Sequence, residues 1–206
     1  MSQHLVENDK PCPGLSSFTK IRLGWISQEK ALLVKTGETS HVFLSPLAQK
    51  GNKLVIKIPI NNENYYLIEN RQPIGYDKIL PDSGILILKV NTGVEEGYGN
   101  VQVMNAAPTA QNFSKATYKL GIKERNIYID KKNNVAVIPL WKEEDNLGVL
   151  ITTVEKSGAA LKAAITIMEL MKSEKSPEKT KKLRDAVAAF KTYDFEGSYS
   201  LASSTP

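Results

Sequence analysis

The residues that most often staple or ligate are scarce in this 206-residue chain: one cysteine, Cys12, and two histidines, His4 and His41. A lone cysteine excludes an internal disulfide framework. Three such residues in all, with no shared spacing, match no zinc ribbon or three-imidazole centre. We therefore expect His4, His41 and Cys12 to serve as ordinary surface or turn residues, and we assign no metal and no cofactor. No apolar run approaches the ~20 residues that span a bilayer. Residues 1–14 lack the apolar core of a signal peptide. No nucleophile elbow and no G-x-x-x-x-G-K-[ST] loop is present, and Glu95-Glu96 in the glycine-rich stretch 90–100 would repel a phosphate. We read that stretch as a mobile connection.

Charge does not concentrate. The net charge is +5; residues 155–206 carry nine basic and seven acidic side chains, leaving eighteen and fifteen to residues 1–154. A basic stripe of the kind that marks nucleic-acid binding is not formed, so no nucleic-acid partner is expected. Lys179, Lys181, Lys182 and Arg184 read as the solvated face of a helix.

What is present is a run of short apolar segments cut by Gly, Asn and Pro. Near the start, Leu15, Phe18, Ile21 and Trp25 recur at helical spacing, with Pro13 suited to the first turn and Gly24 to the stop. From 31 to 154 the period shortens to two. The segments 31–36, 41–47, 53–60, 65–71, 84–90, 101–105, 126–130, 134–141 and 148–154 read as nine strands. Residues 61–64 and 131–134 serve as hairpin turns. The stretch 106–124 reads as a surface excursion. After Val154 the period becomes helical, with Ala160, Leu161, Ala164, Ile167, Met168 and Met171 on one stripe. Ser176-Pro177-Glu178 marks a second helix start, and Asp194 caps a short third. The expected fold is mainly β with α: an antiparallel β-sandwich or barrel-like domain over 27–154, preceded by a lead-in segment and short helix over 1–26. A helical hairpin over 155–206 follows. Alone the hairpin buries little, so it must pack on the sheet or on a partner. Both tryptophans, Trp25 and Trp141, suit core positions.

Two residues of strand 65–71 carry opposite charge at a spacing of two. Glu69 and Arg71 share a face and can pair or hold the loop that follows. Tyr65 and Tyr66 point to opposite faces, so one is buried. Glu69 with Asp77 or Asp82 could form an acid pair, although pairing of carboxylates is not legible in sequence.

The segment 64–90 resembles a signature of the immune inhibitor A family of secreted zinc metallopeptidases. Its parts are Tyr65, Tyr66, Glu69, Asn70, Arg71 and Gln72, then Gly75, Tyr76, Asp77, Leu80 and Pro81, then the Gly84-led apolar strand. Residues 14–26, ending in Leu-Gly-Trp, look like the linker helix that follows that family's catalytic centre. The resemblance covers residues 1 to about 92. It implies an extracellular or cell-surface setting and an H-E-x-x-H zinc helix N-terminal to residue 1. No such pair of histidines occurs in this chain, and Leu88-Lys89 stands where the family tends to carry Trp-His. The expected role is thus non-catalytic: a module that supports or docks with a metalloprotease domain, or an interaction module without one. The rival is a carbohydrate- or cell-surface-binding sandwich.

Overall fold

A computed structural model describes residues 12–174 and 176–204. His4 and the rest of the first eleven residues lie outside them. The described residues form nine strands and four α-helices. The strands are β1 (Ala31–Leu33), β2 (Ser40–Leu44), β3 (Val55–Pro59), β4 (Asn64–Arg71), β5 (Gly84–Asn91), β6 (Val101–Val103), β7 (Tyr128–Asp130), β8 (Val135–Glu143) and β9 (Asn146–Thr152). The helices are α1 (Ser17–Arg22), α2 (Val154–Lys172), α3 (Pro177–Lys191) and α4 (Phe195–Ser203). Two open sheets form rather than a closed barrel, in the orders β1-β3-β4-β5-β6 and β2-β9-β8-β7. Among the described residues the pairings between these strands are antiparallel except β1 with β3, which run parallel.

Alternation along the strands sorts side chains between layers. Ile56, Ile58, Tyr66, Ile68, Ile85 and Ile87 of the first sheet meet Leu44, Val135, Val137, Val149 and Ile151 of the second, and this is the central core. The other face of each sheet is also covered. Val55, Leu67, Leu88 and Val90 pack beneath Ile26 and Phe18. Ile138, Leu140, Trp141 and Leu150 pack beneath the helices. Strands buried on both faces carry apolar residues at consecutive positions, which is why GILILKV and NVAVIPLW read as nearly continuous runs. A register shift between Pro139 and Lys142 places Leu140 and Trp141 together on the helix side and lets the exposed Lys142 reach across to Gln72. Proline is tolerated there because a bulge interrupts the ladder.

The helical tail packs on the second sheet. Ala160, Ala163 and Ala164 are fully buried, and their small side chains let α2 approach Ile138 and Leu150 closely. Caps fall where the sequence places them: Ser176 accepts from the Lys179 N–H at 3.1 Å, and Asp194 from the Gly197 N–H at 2.9 Å. No helix among the described residues is long and apolar enough to cross a membrane.

Three expectations need correction. Pro13 precedes α1 rather than opening it; Ser16 is the cap. Trp25 is 64% exposed, because Gly24 at φ +72° ends the helix and turns the indole off its stripe. The stretch 106–124 is partly interior: Tyr118 bridges Ile85 in the first sheet and is buried. Gly84 is required by that close approach. A Cβ there would lie 2.7 Å from the Tyr118 carbonyl oxygen, at a φ of +139°.

Candidate functional site

The run Glu69-Asn70-Arg71-Gln72 is divided by strand alternation into two buried networks. On the outer face, Arg71 bonds Glu69 Oε1 at 3.3 Å and Asp77 Oδ1 at 2.8 Å. The same guanidinium donates to the carbonyls of Gly14 (2.9 Å) and Leu15 (3.2 Å). Glu69 Oε2 accepts from the Ser17 N–H at 2.7 Å, and Asp77 Oδ1 from the Gly14 N–H at 2.9 Å. Lys20 of α1 reaches the Leu47 carbonyl at 2.7 Å. These contacts form a clasp around residues 14–17. Burial pushes the Asp77 carboxyl above its ordinary value, against the pull of Arg71, Gly14 and Lys20. Burial and the Arg71 charge push Lys20 down.

On the inner face, Asn70 Nδ2 donates to the Leu44 carbonyl at 2.8 Å, and Gln72 Nε2 to Asn70 Oδ1 at 2.8 Å. Lys142 Nζ donates to Gln72 Oε1 at 3.0 Å. This second network ties β4 to β2 and β8, across the two sheets.

The remaining residues of the resemblance lie as follows. Tyr66 is buried, donates to Asp130 Oδ2 at 2.6 Å and accepts from the Tyr128 hydroxyl at 2.9 Å. Burial pushes its hydroxyl far above the ordinary range. Tyr65 lies half-buried on the outer face, with Lys57 Nζ 4.3 Å from its ring centre. Gly75 opens a 3-10 turn at φ +57° that delivers Asp77 to the clasp. Tyr76, in the same turn, is 75% exposed. Pro81 lines the groove described below. Asp82 stands apart from Glu69 and Asp77. It bonds Lys119 and Arg125, each at 2.5 Å, and Thr117 Oγ1 at 2.7 Å. Burial pushes its carboxyl up, but these partners outweigh it and hold it below the ordinary value. Glu69 and Asp77 are therefore brought to one shared cation, Arg71, whereas Asp82 is bound to Lys119 and Arg125.

Beside the clasp a groove of about 1110 Å³ runs over the outer face of β5 and β6. Leu86, Leu88, Val101 and Val103 floor it, with Phe18 of α1 and Phe113 on its flanks. Glu69 and Arg71 lie at one end, and the connection 92–100 walls another side, where Glu96 pairs with Arg22 of α1. The sequence reading missed this groove. The one available signal was apolar side chains at consecutive positions of β5, which require cover on both faces. The Asp82, Lys119 and Arg125 cluster joins positions too distant for any local pattern.

Among the described residues no three His, Cys, Asp or Glu side chains are grouped to hold a metal ion. Cys12 is exposed. His41 lies on β2 edge-on to Tyr193 at 5.9 Å, and its Nδ1 is buried with no partner among the described residues. Burial, then the nearby Lys191 charge, push its pKa down, and Glu143 opposes them only partly. The unfolded chain thus takes up a proton at His41 before the folded one does. Stability contributed here is intact above the unfolded value of about 6.5 and declines as pH falls through it. We expect unfolding midpoints measured from pH 7.5 to 5 to fall, and the slope to flatten in His41→Phe. An unchanged slope would assign the acid sensitivity elsewhere.

Comparison with known proteins finds no matching family model, no matching curated protein and no matching solved structure.

Proposed function

We propose that this chain is a non-catalytic β-rich module resembling the post-catalytic region of immune inhibitor A-like zinc metalloproteases, and that it docks with a protease domain or another protein surface. One observation carries the reading. The two blocks of the resemblance, 14–26 and 64–90, are distant in sequence, yet Glu69, Arg71 and Asp77 of the second grip the backbone of Gly14, Leu15 and Ser17 in the first. A linker leaving a catalytic domain needs such an anchor if the two parts are to keep a fixed relation. The H-E-x-x-H pair that binds zinc and activates water in that family does not occur in this sequence.

The test mixes the purified chain with an immune inhibitor A-type catalytic domain. The expected result is a one-to-one complex in sedimentation velocity, with no chelator-sensitive proteolysis by the chain alone. Zinc-dependent proteolysis by the chain alone, or sedimentation as two free species, would overturn the proposal. A sugar-binding reading draws on Trp25, Tyr76 and Tyr98, which are 64%, 75% and 79% exposed. Glycan-array binding abolished by Trp25→Ala would favour it instead.

A further inference from the structure

The segment 92–100 closes back on its own start. The Asn91 N–H donates to the Asn100 carbonyl at 2.8 Å, so both ends of the loop stand on the β5–β6 ladder. Thr92 is pinned as well, its N–H on the Glu63 carbonyl at 2.9 Å. Beyond these anchors the ties thin out. Residues 95–99 are all exposed. Among the described residues their one backbone bond, from the Tyr98 N–H to the Glu95 carbonyl at 3.2 Å, stays inside this tip. Among the same residues, the Glu96–Arg22 ion pair is the one polar contact from the tip to another element. A segment with so few buried contacts opens at low cost. Glycine stands on both sides of it: Gly93 where the loop leaves its anchor, and Gly99, at φ +88°, where it returns.

That ion pair joins two walls of the groove. Arg22 ends α1 and lines the groove with Phe18 and Leu23; Glu96, Gly97 and Gly99 of the loop line it too. The Arg22 guanidinium also lies 5.6 Å from the centre of the Phe18 ring, which keeps it at the groove. Lys20, the other cation of α1, is engaged at the Leu47 carbonyl, so Arg22 alone on this helix meets the tip. Glu95 stands next to Glu96 and adds to the same attraction. The pair is 55% and 65% exposed, so water and salt weaken it. An exposed pair of this kind shifts an equilibrium by about fivefold at most. It biases the tip without fixing it.

We propose that residues 92–100 are a lid on the groove, hinged at Gly93 and Gly99 and latched by the Glu96–Arg22 pair. Latched, the tip is held to α1 and closes that end of the groove. Released, it swings away from α1 about the two glycines and opens a path to Val101 and Leu88 on the floor. Ionic strength shifts the balance, since added salt screens an exposed pair. The inference stands apart from the docking reading: it concerns the chain alone and holds whichever surface docks.

The experiment places nitroxide labels at Trp25→Cys, just beyond α1, and at Tyr98→Cys, in the tip. Cys12→Ser removes the one native thiol. Both labelled positions are exposed, and dipolar EPR spectroscopy reads their separation. We expect a short separation to dominate at low salt. Arg22→Gln should cut the ratio of short to long separations by about two- to fivefold, with an unchanged urea midpoint. Salt at about 1 M, which screens charges beyond ~3 Å, should do the same to the intact latch and nothing more to Arg22→Gln. The exchanged pair, Arg22→Glu with Glu96→Arg, should restore the short separation. A second readout tests the cover: in the Cys12→Ser chain, Val101→Cys on the floor should be alkylated about two- to fivefold faster once Arg22→Gln is added. Separations indifferent to salt and to Arg22→Gln would overturn the latch. Separations that respond while Val101→Cys reacts at an unchanged rate would overturn the lid.

Discussion

Arg71→Met is expected to lower the free energy of unfolding by ~3–5 kcal/mol, the cost of stripping the partner from a buried charge. The substitution keeps most of the side-chain bulk and removes only the guanidinium. Glu69 and Asp77 are 0% and 1% exposed, so each would keep a carboxylate away from water with its hydrogen-bonded cation gone and Lys20 the remaining positive charge beside it. The carbonyls of Gly14 and Leu15 would lose their donors as well. Urea titration followed by tryptophan fluorescence gives the size of the effect. Limited proteolysis gives its place, because the released segment should be cut within 14–26 before the sheets are. Neutralising Glu69, Arg71 and Asp77 together (Glu69→Gln, Arg71→Met and Asp77→Asn) should recover part of the loss, since neither buried carboxylate is then charged, while Lys20 keeps its bond to the Leu47 carbonyl. A single-variant loss below ~1 kcal/mol would show that water reaches the clasp and that it carries little of the stability.

Phe190→Ala should cost a comparable ~3–5 kcal/mol, the range for removing a large buried aromatic. Phe190 is fully buried on α3. Its ring lies edge-on to Trp141 of β8 at 5.4 Å and to Phe195 of α4 at 5.1 Å. The ring therefore holds two helices against the second sheet, and its loss opens a void that Ala186 and Ala160 are too short to fill. The measurement is again the urea midpoint. Trp141 emission provides a local reporter, expected to shift to the red as water enters. A variant within ~1 kcal/mol of the parent, with unchanged emission, would mean that α3 and α4 close over the gap. Phe190→Leu, which keeps much of the volume, should lose less than half as much.

Much of this architecture was legible because its punctuation is local. Asn61 to Asn64 and Lys131 to Asn134 announce hairpins through residues that tolerate tight turns, and Ser176-Pro177-Glu178 announces a helix start through its cap and proline. The nine strands and the helical tail followed. The pairing of β1 alongside β3 was not legible, because a parallel partner is chosen by contacts far along the chain. Nor was the covering of both sheet faces: Leu54, Ile56, Ile58 and Ile60 suggested one buried side, yet Val55 is also buried, beneath the lead-in. The side-by-side placement of Glu69 and Arg71 came directly from the period of a strand. Its third member, Asp77, arrives through a turn, and its quarry, the backbone of residues 14–17, through tertiary packing. The groove escaped because its flank at Phe113 belongs to a stretch of Ala, Thr, Ser and Asn without periodicity.

The clasp also determines where the molecule bears mechanical load. Gly14 is fastened by side chains alone, to Arg71 and Asp77, and belongs to no strand. Tension applied at that point is transmitted first into a few charged contacts, which give way one by one, and only afterwards into the shear-resistant ladder of β4 and β5. In a single-molecule pulling trace this arrangement acts as a fuse: a short, low-force extension releases the lead-in while both sheets stay whole.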